Sequence, residues 1–279
     1  CQTFPERSKM ASASIRPPAV AGLFYPDDAR VLRVQISGLM AAAPPPDLML
    51  PPKALIVPHA GFIYSGRMAA AAYRLPTPLR AQITRVILIG PTHRMAVRGI
   101  ALPAAQAFAT PLGTVPVSRI DWHTLQSNPH VLVDDAPHAR EHSLEVQLPF
   151  LQTVLDGFEL VPLLAGDVAP DVVADLLETL WGGPETLLLV SSDLSHYHPY
   201  ETARLADRRS VEQVLNLGGP LNHEQACGAT PINALLEVAR RQGLQPHLLD
   251  LRNSGDTAGD RGSVVGYAAI AFTGNEPHA

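Results

Sequence analysis

The chain is predicted to fold as an α/β protein, a single domain with a mixed, mostly parallel central sheet flanked by helices. Three observations lead there. Short apolar runs at 54–58 (ALIVP), 85–90 (RVILIG), 159–166 (ELVPLLAG) and 186–192 (TLLLVSS) lack the polar alternation of a half-exposed strand, so they suit strands covered on both faces. Helical patterns lie between these runs, the succession from which crossover-connected sheets are built. The 279 residues, 46% hydrophobic and 17% charged, can bury one large core, and no break in composition follows residue 53.

Taken in order, the opening CQTFPERSK precedes Met10 and has no periodicity. Residues 1–15 are expected to stay outside the fold as a frayed or appended start, with 16–279 as the domain. Pro26-Asp27-Asp28, followed by Val31, Leu32, Ile36, Leu39 and Met40, reads as a capped amphipathic helix. The proline-rich APPPDLMLPP (43–52) interrupts regular structure. Helices are predicted at 65–74, 119–127, 142–155, 170–181, 200–216 and 231–242, and two closing strands at 247–252 and 263–272. No repeat of solenoid length is present.

Several function classes are disfavoured. A net charge of -5 with 21 basic residues forms no basic stripe, against nucleic-acid binding. No apolar run approaches the roughly 18 residues of a membrane span, and no segment reads as a signal peptide. A cytoplasmic protein is expected. Two distant cysteines, Cys1 and Cys227, cannot build a disulfide framework. Phosphate-cradle motifs and a G-x-S-x-G elbow are missing, and the Gly-rich 253–263 fails the EF-hand spacing; a turn into the last strand is its expected role.

The chemistry-bearing residues collect at strand ends. Ligands of open α/β sheets bind beyond the carboxyl ends of the strands. There, strand 54–58 delivers His59, strand 85–90 delivers His93, and strand 186–192 delivers Ser191-Ser192-Asp193 followed by His196 and His198. One histidine at a strand end is an ordinary structural residue; three strands delivering imidazole or carboxylate to one edge point to a site. Cys227 precedes Thr230-Pro231, a helix start with Thr as N-cap and Pro in the first turn. A thiolate there is stabilised by the helix dipole, so its pKa is expected below the roughly 8.5 of a free thiol. Alone, Cys227 would read as packing. His142 and Glu145 stand three apart on one face of the predicted 142–155 helix, a spacing common on solvated helices.

Together, RPPAVAGLFYP, VPHAGFIYSG, GPTHR, TPLG, EHSLEVQLPFL, SSDLSHY, ACGATPI and SVVGYAA, in this order from Arg16 to Phe272, resemble the Memo family, whose bacterial and archaeal members are labelled AmmeMemoRadiSam system protein B. The resemblance implies a fold like that of the class III extradiol ring-cleaving dioxygenases. It also implies metal ligands at His59, His93 and Cys227, and pocket residues at Asp193, His196 and His142, with His196 the acid/base candidate. His198 matches no family position. The related dioxygenases use a carboxylate where this chain has Cys227, which puts ring cleavage in doubt.

Two imidazoles and a thiolate leave a coordination position open, and iron, copper and zinc all accept such a set. The resemblance favours one transition-metal ion, iron or copper, and hence a metal-dependent oxidoreductase acting on an unknown small-molecule or protein substrate. Zinc would make a hydrolase, with Asp193 or His196 as proton acceptor. A non-catalytic metal-holding or peptide-binding scaffold is the alternative of a different class. The family label further implies a link to a radical S-adenosylmethionine protein and an AMMECR-type protein.

Overall fold

The apolar runs become strands whose successive side chains enter two different cores. In the computed structural model, which describes residues 14–44, 48 and 50–274, the central parallel strands are β2 (Pro52–Val57), β3 (Arg85–Pro91), β8 (Glu159–Ala165) and β9 (Thr186–Ser191), the last paired with both β2 and β3. Leu55, Val57, Val86, Leu88, Leu160, Leu164, Leu187 and Leu189 enter one core; Ala54, Ile56, Ile87, Ile89, Val161, Leu163, Leu188 and Val190 enter the other. Side chains of a strand alternate between faces. The missing polar alternation is therefore the mark of a sheet covered on both sides, as predicted.

The helices form the two covers. Over the first core lie α1 (Ala29–Ala42), α2 (Phe62–Tyr73) and, further along the chain, α5 (Leu148–Val154), contributing Leu32, Ile36, Met68, Tyr73, Phe150 and Leu151. The start of α1 follows from Asp28, whose carboxylate accepts the N–H of Arg30 and of Val31 at 2.9 Å each. Leu32 and Ile36 face inward, whereas Val31 points outward with 55% of its surface exposed. Over the second core lie α6 (Pro170–Thr179), α7 (Tyr200–Leu215) and α8 (Ala229–Gln242).

Strands too short to announce themselves complete the sheets. β1 (Ile15–Arg16), β5 (Ala107–Thr110) and β6 (Gly113–Pro116) form a separate three-stranded sheet, so pairing begins at Ile15, one residue before the expected start of the domain. β4 (Ile100–Leu102) and β7 (Val131–Val133) extend the main sheet beyond β8, near the short helices α3 (Trp122–Ser127) and α4 (Ala136–Ala139). On its other side β12 (Val264–Thr273) runs antiparallel to β2, to β11 (Gln245–Asn253) and to β10 (His196–His198). The path is β10-β12-β2-β9-β3-β8-β4-β7, with β11 also on β12: a mixed sheet, parallel at its centre.

Two local readings change. The predicted 142–155 helix begins only at Glu145, as one 3-10 turn leading into α5. Helix α8 has Gly228 as N-cap and so begins two residues before Pro231, which makes Thr230 a helix-interior residue and not the cap. Most of the 1–15 start lies outside the described residues, as does part of the proline-rich segment.

Candidate metal centre

Because β9 lies between β2 and β3, the chain leaving it passes between those leaving its neighbours. His59 follows β2, His93 follows β3, and Asp193 follows β9. The Asp193 carboxylate accepts the His59 backbone N–H at 2.7 Å, tying two strand exits together. The third wall comes from residues 141–147, laid across these exits. Ser143 donates its hydroxyl to the Pro91 carbonyl at 2.9 Å, and Gln147 donates to the Pro58 carbonyl at 3.0 Å.

The result is a cluster of three imidazoles. His59, His93 and His142 each offer a ring nitrogen, and the three atoms lie within 4.8 Å of one another, so the group could hold a metal ion. Ring centroids are 5.1 Å apart for His59–His93, 5.3 Å for His59–His142 and 4.7 Å for the stacked His93–His142 pair. Cys227 stands beside them, its Sγ 3.3 Å from His59 Nε2 and 3.6 Å from the Asp193 carbonyl oxygen. Close backbone approach brings it there: a Cβ on Gly228 would stand 2.7 Å from Ser192 Cβ and 3.1 Å from the Ser191 carbonyl oxygen.

Hydrogen bonds aim two of the rings. His93 Nδ1 is 2.9 Å from Glu141 Oε1, and its backbone N–H donates to the same carboxylate. A carboxylate only accepts, so Nδ1 carries a proton, and it is Nε2 that is left to present a lone pair in the neutral ring, the arrangement usual behind metal-bound histidines. Burial by itself would raise the Glu141 carboxyl, but the hydrogen bonds from the His93 ring and backbone outweigh it and hold the pKa down at about 2. His59 Nδ1 is 3.0 Å from Ser191 Oγ. His142 differs: its Nδ1 is 3.2 Å from Glu141 Oε1 at an angle that makes no hydrogen bond, leaving a buried nitrogen without a partner among the described residues.

Desolvation decides the charges. It lowers His59 well below the ordinary imidazole value, with the neighbouring imidazoles adding to the effect. It also lowers His142 to about 4, against the pull of Glu141. Uncharged imidazoles facing one another suit a cation. Burial raises Asp193 to about 7 despite the His59 N–H. Burial, then the nearby Asp193 carboxylate, pushes the Cys227 thiol up to about 12. The expected lowering of that thiol is therefore overturned: two residues before α8 begins, its surroundings remove more hydration than the helix end returns.

A cleft of about 410 Å³ opens from the cluster, bounded by His142, Asp193 and His196 and walled by Phe24, Tyr64 and Tyr267. His196 opens β10, and burial lowers its pKa. Tyr197 follows at φ 63°, an uncommon conformation for a non-glycine residue, and lines the same cleft with 77% of its surface exposed. His198 pairs with Val264 and is absent from the cleft lining.

A family model described as Memo-like protein matches residues 16–271. The chain belongs to the Memo-like protein family. A MEMO1 family protein of Sulfolobus acidocaldarius is 34% identical, covering 92% of this chain and 99% of its own length. The Aquifex aeolicus relative shows the same identity and coverage, and that of Ignicoccus hospitalis is 35% identical over 92% of this chain and 98% of its own. An uncharacterized Escherichia coli K12 protein of solved structure aligns at a TM-score of 0.49 and 16% identity, covering 78% of this chain and 98% of that one.

Against the sequence reading, His59 and His93 fall in one ion-sized group, whereas Cys227 stands beside His59 alone and outside that group; His196 and Asp193 line the adjoining cleft. His142 stands nearer the centre than a pocket residue, as the third imidazole of the ion-sized group. Its pairing with Glu145 on a helix face is not observed. Glu145 turns away and accepts from Arg16, the Ala19 and Val20 N–H groups and the Tyr25 hydroxyl, clamping residues 16–25 onto the segment that carries His142. Glu141, Ser143 and Gln147 were missed. The density of polar residues in EHSLEVQ, just before an apolar helix, was the available signal. No described helix is long and apolar enough to cross a membrane.

Proposed function

We propose that this Memo-family protein is a metal-dependent oxidoreductase holding one iron or copper ion on His59 and His93, with Cys227 or His142 completing the set. The observation that carries the reading is the convergence of three imidazoles, their donors within 4.8 Å, with a thiol 3.3 Å from one of them. His59 and His93 are each backed by an oxygen acceptor at Nδ1, which supports these two as the invariable ligands of the proposal. A bound redox ion would supply electron transfer and Lewis acidity. The chain's own groups would bind substrate in the adjoining cleft and handle protons. Asp193 can hold one at Oδ2, 3.9 Å from His59 Nε2, and His196 is the acid/base candidate across the cleft.

A second reading, a zinc-dependent hydrolase, is favoured by the His142 nitrogen: three imidazoles plus water is a catalytic zinc set, and Asp193 at about 7 would serve as base. Metal analysis of protein purified aerobically and anaerobically tests both. Iron or copper near one equivalent with metal-dependent oxygen consumption supports the oxidoreductase. Zinc with ester or amide hydrolysis supports the second reading, and protein that takes up none of these metals refutes both. Association with a radical S-adenosylmethionine protein and an AMMECR-type protein is proposed on resemblance alone and is tested by co-purification of the three.

A further inference from the structure

Behind His59, on the side away from the cluster, lies a chain of buried polar groups. Tyr73, on α2, donates its hydroxyl to Gln147 Oε1 at 2.8 Å. Gln147 Nε2 donates to the Pro58 carbonyl at 3.0 Å and to Ser191 Oγ at 2.8 Å. Ser191 Oγ stands 2.6 Å from the Ser143 carbonyl oxygen and 3.0 Å from His59 Nδ1. These side chains are fully buried, at 0–1% exposure, so each polar atom depends on its protein partners.

The proton positions follow from donor and acceptor inventories. A reversed Gln147 amide would set its oxygen against the Pro58 carbonyl oxygen and take away the acceptor of the buried Tyr73 hydroxyl hydrogen, so both neighbours favour the orientation observed. Its NH2 then faces Ser191 Oγ, which must accept. The single Ser191 hydrogen must go to the Ser143 carbonyl, because two oxygens at 2.6 Å without a proton between them repel. One interaction is left for His59 Nδ1, and only an N–H can make it.

We propose that Tyr73, Gln147 and Ser191 form a positioning chain that holds His59 as the Nδ1–H tautomer and so aims its Nε2 lone pair into the imidazole cluster. The part concerning the ion rests on the metal reading above; the tautomer does not. His59 thus has an uncharged counterpart to the Glu141 carboxylate behind His93. A neutral acceptor stabilises the N–H without drawing the ring toward imidazolium, which suits a ring as buried as His59.

The test uses metal-free full-length protein labelled with 15N in histidine, the His59 signals being assigned by their loss in His59→Asn. NMR of the wild type should show Nδ1 protonated and Nε2 bare. Ser191→Ala and the milder Tyr73→Phe should move His59 toward a tautomer mixture, and Ser191→Ala should weaken cobalt(II) binding by about 10–100-fold. A wild type with Nε2 protonated overturns the chain before any variant is made. A Ser191→Ala protein that keeps both the Nδ1–H signal and wild-type cobalt affinity overturns it as well. A wild type with the expected tautomer that binds no cobalt overturns the metal reading and leaves the tautomer assignment standing.

Discussion

Replacing Glu141 with Gln should damage this site more than any change of similar size. The carboxylate accepts the His93 ring N–H, the His93 backbone N–H and the backbone N–H groups of His142 and Ser143. An isosteric amide has one oxygen for these four donors and turns its own NH2 toward the rest. The charge is worth estimating. The carboxyl falls from 4.5 to about 2 on folding, and at about 1.4 kcal/mol per pH unit this is roughly 3 kcal/mol. The folded value is depressed, so the contribution is fully present above pH 4.5 and is lost as pH falls toward 2. Metal-free Glu141→Gln should therefore be less stable by about 2–3 kcal/mol at pH 7 in denaturant unfolding, and the deficit should shrink below pH 4. Cobalt(II) affinity should fall by about 10–100-fold as His93 loses its orientation. Wild-type stability together with wild-type affinity would refute the reasoning, and lost stability with full affinity would refute the orienting role alone.

Metal-free Asp193→Asn should behave in the opposite sense. Its carboxyl is raised from 3.8 to about 7, so its stability is greatest below pH 4 and is lost as pH rises through 7; at pH 8 the variant should be the more stable protein in urea unfolding, by up to roughly 4 kcal/mol. Cys227, with its thiol pushed up to about 12, should react with iodoacetamide at pH 8 far more slowly in folded metal-free protein than in urea, and a rapid folded-state reaction would contradict the burial argument. His196→Ala should keep its metal, measured by elemental analysis, and lose turnover by about 10²–10⁴-fold, whereas His59→Ala and His93→Ala should lose the metal; an empty His196→Ala site would make His196 a ligand. Gly228→Ala should cost about 1–3 kcal/mol through the clash at Ser192, and an unchanged thermal midpoint would show that the turn can move.

The core strands were legible because a strand buried on both faces needs apolar residues at every position, a local requirement visible in ALIVP, RVILIG and TLLLVSS. His59, His93 and Asp193 could be singled out for a related reason: they are the first chemistry-bearing residues beyond those strands, and strand direction alone sends them to one edge. Capping at Asp28 was equally local. The short strands β1, β4, β5, β6 and β7 were not legible, since two to four residues carry too little pattern to distinguish them from loop.

What the sequence by itself determined is thus the covered sheet and the histidines at its carboxyl edge. Tertiary structure alone decided which groups meet there and in what protonation state. Cys227 lies 168 positions from His59 and reaches it through the close packing of Gly228 on Ser192. Glu141, Gln147 and Ser191 orient the rings only because residues 141–147 are held across the ends of β2 and β3. The thiol expected to ionise easily does the reverse, because a pKa depends on how much water the assembled fold leaves around the group, a quantity no local stretch of residues contains.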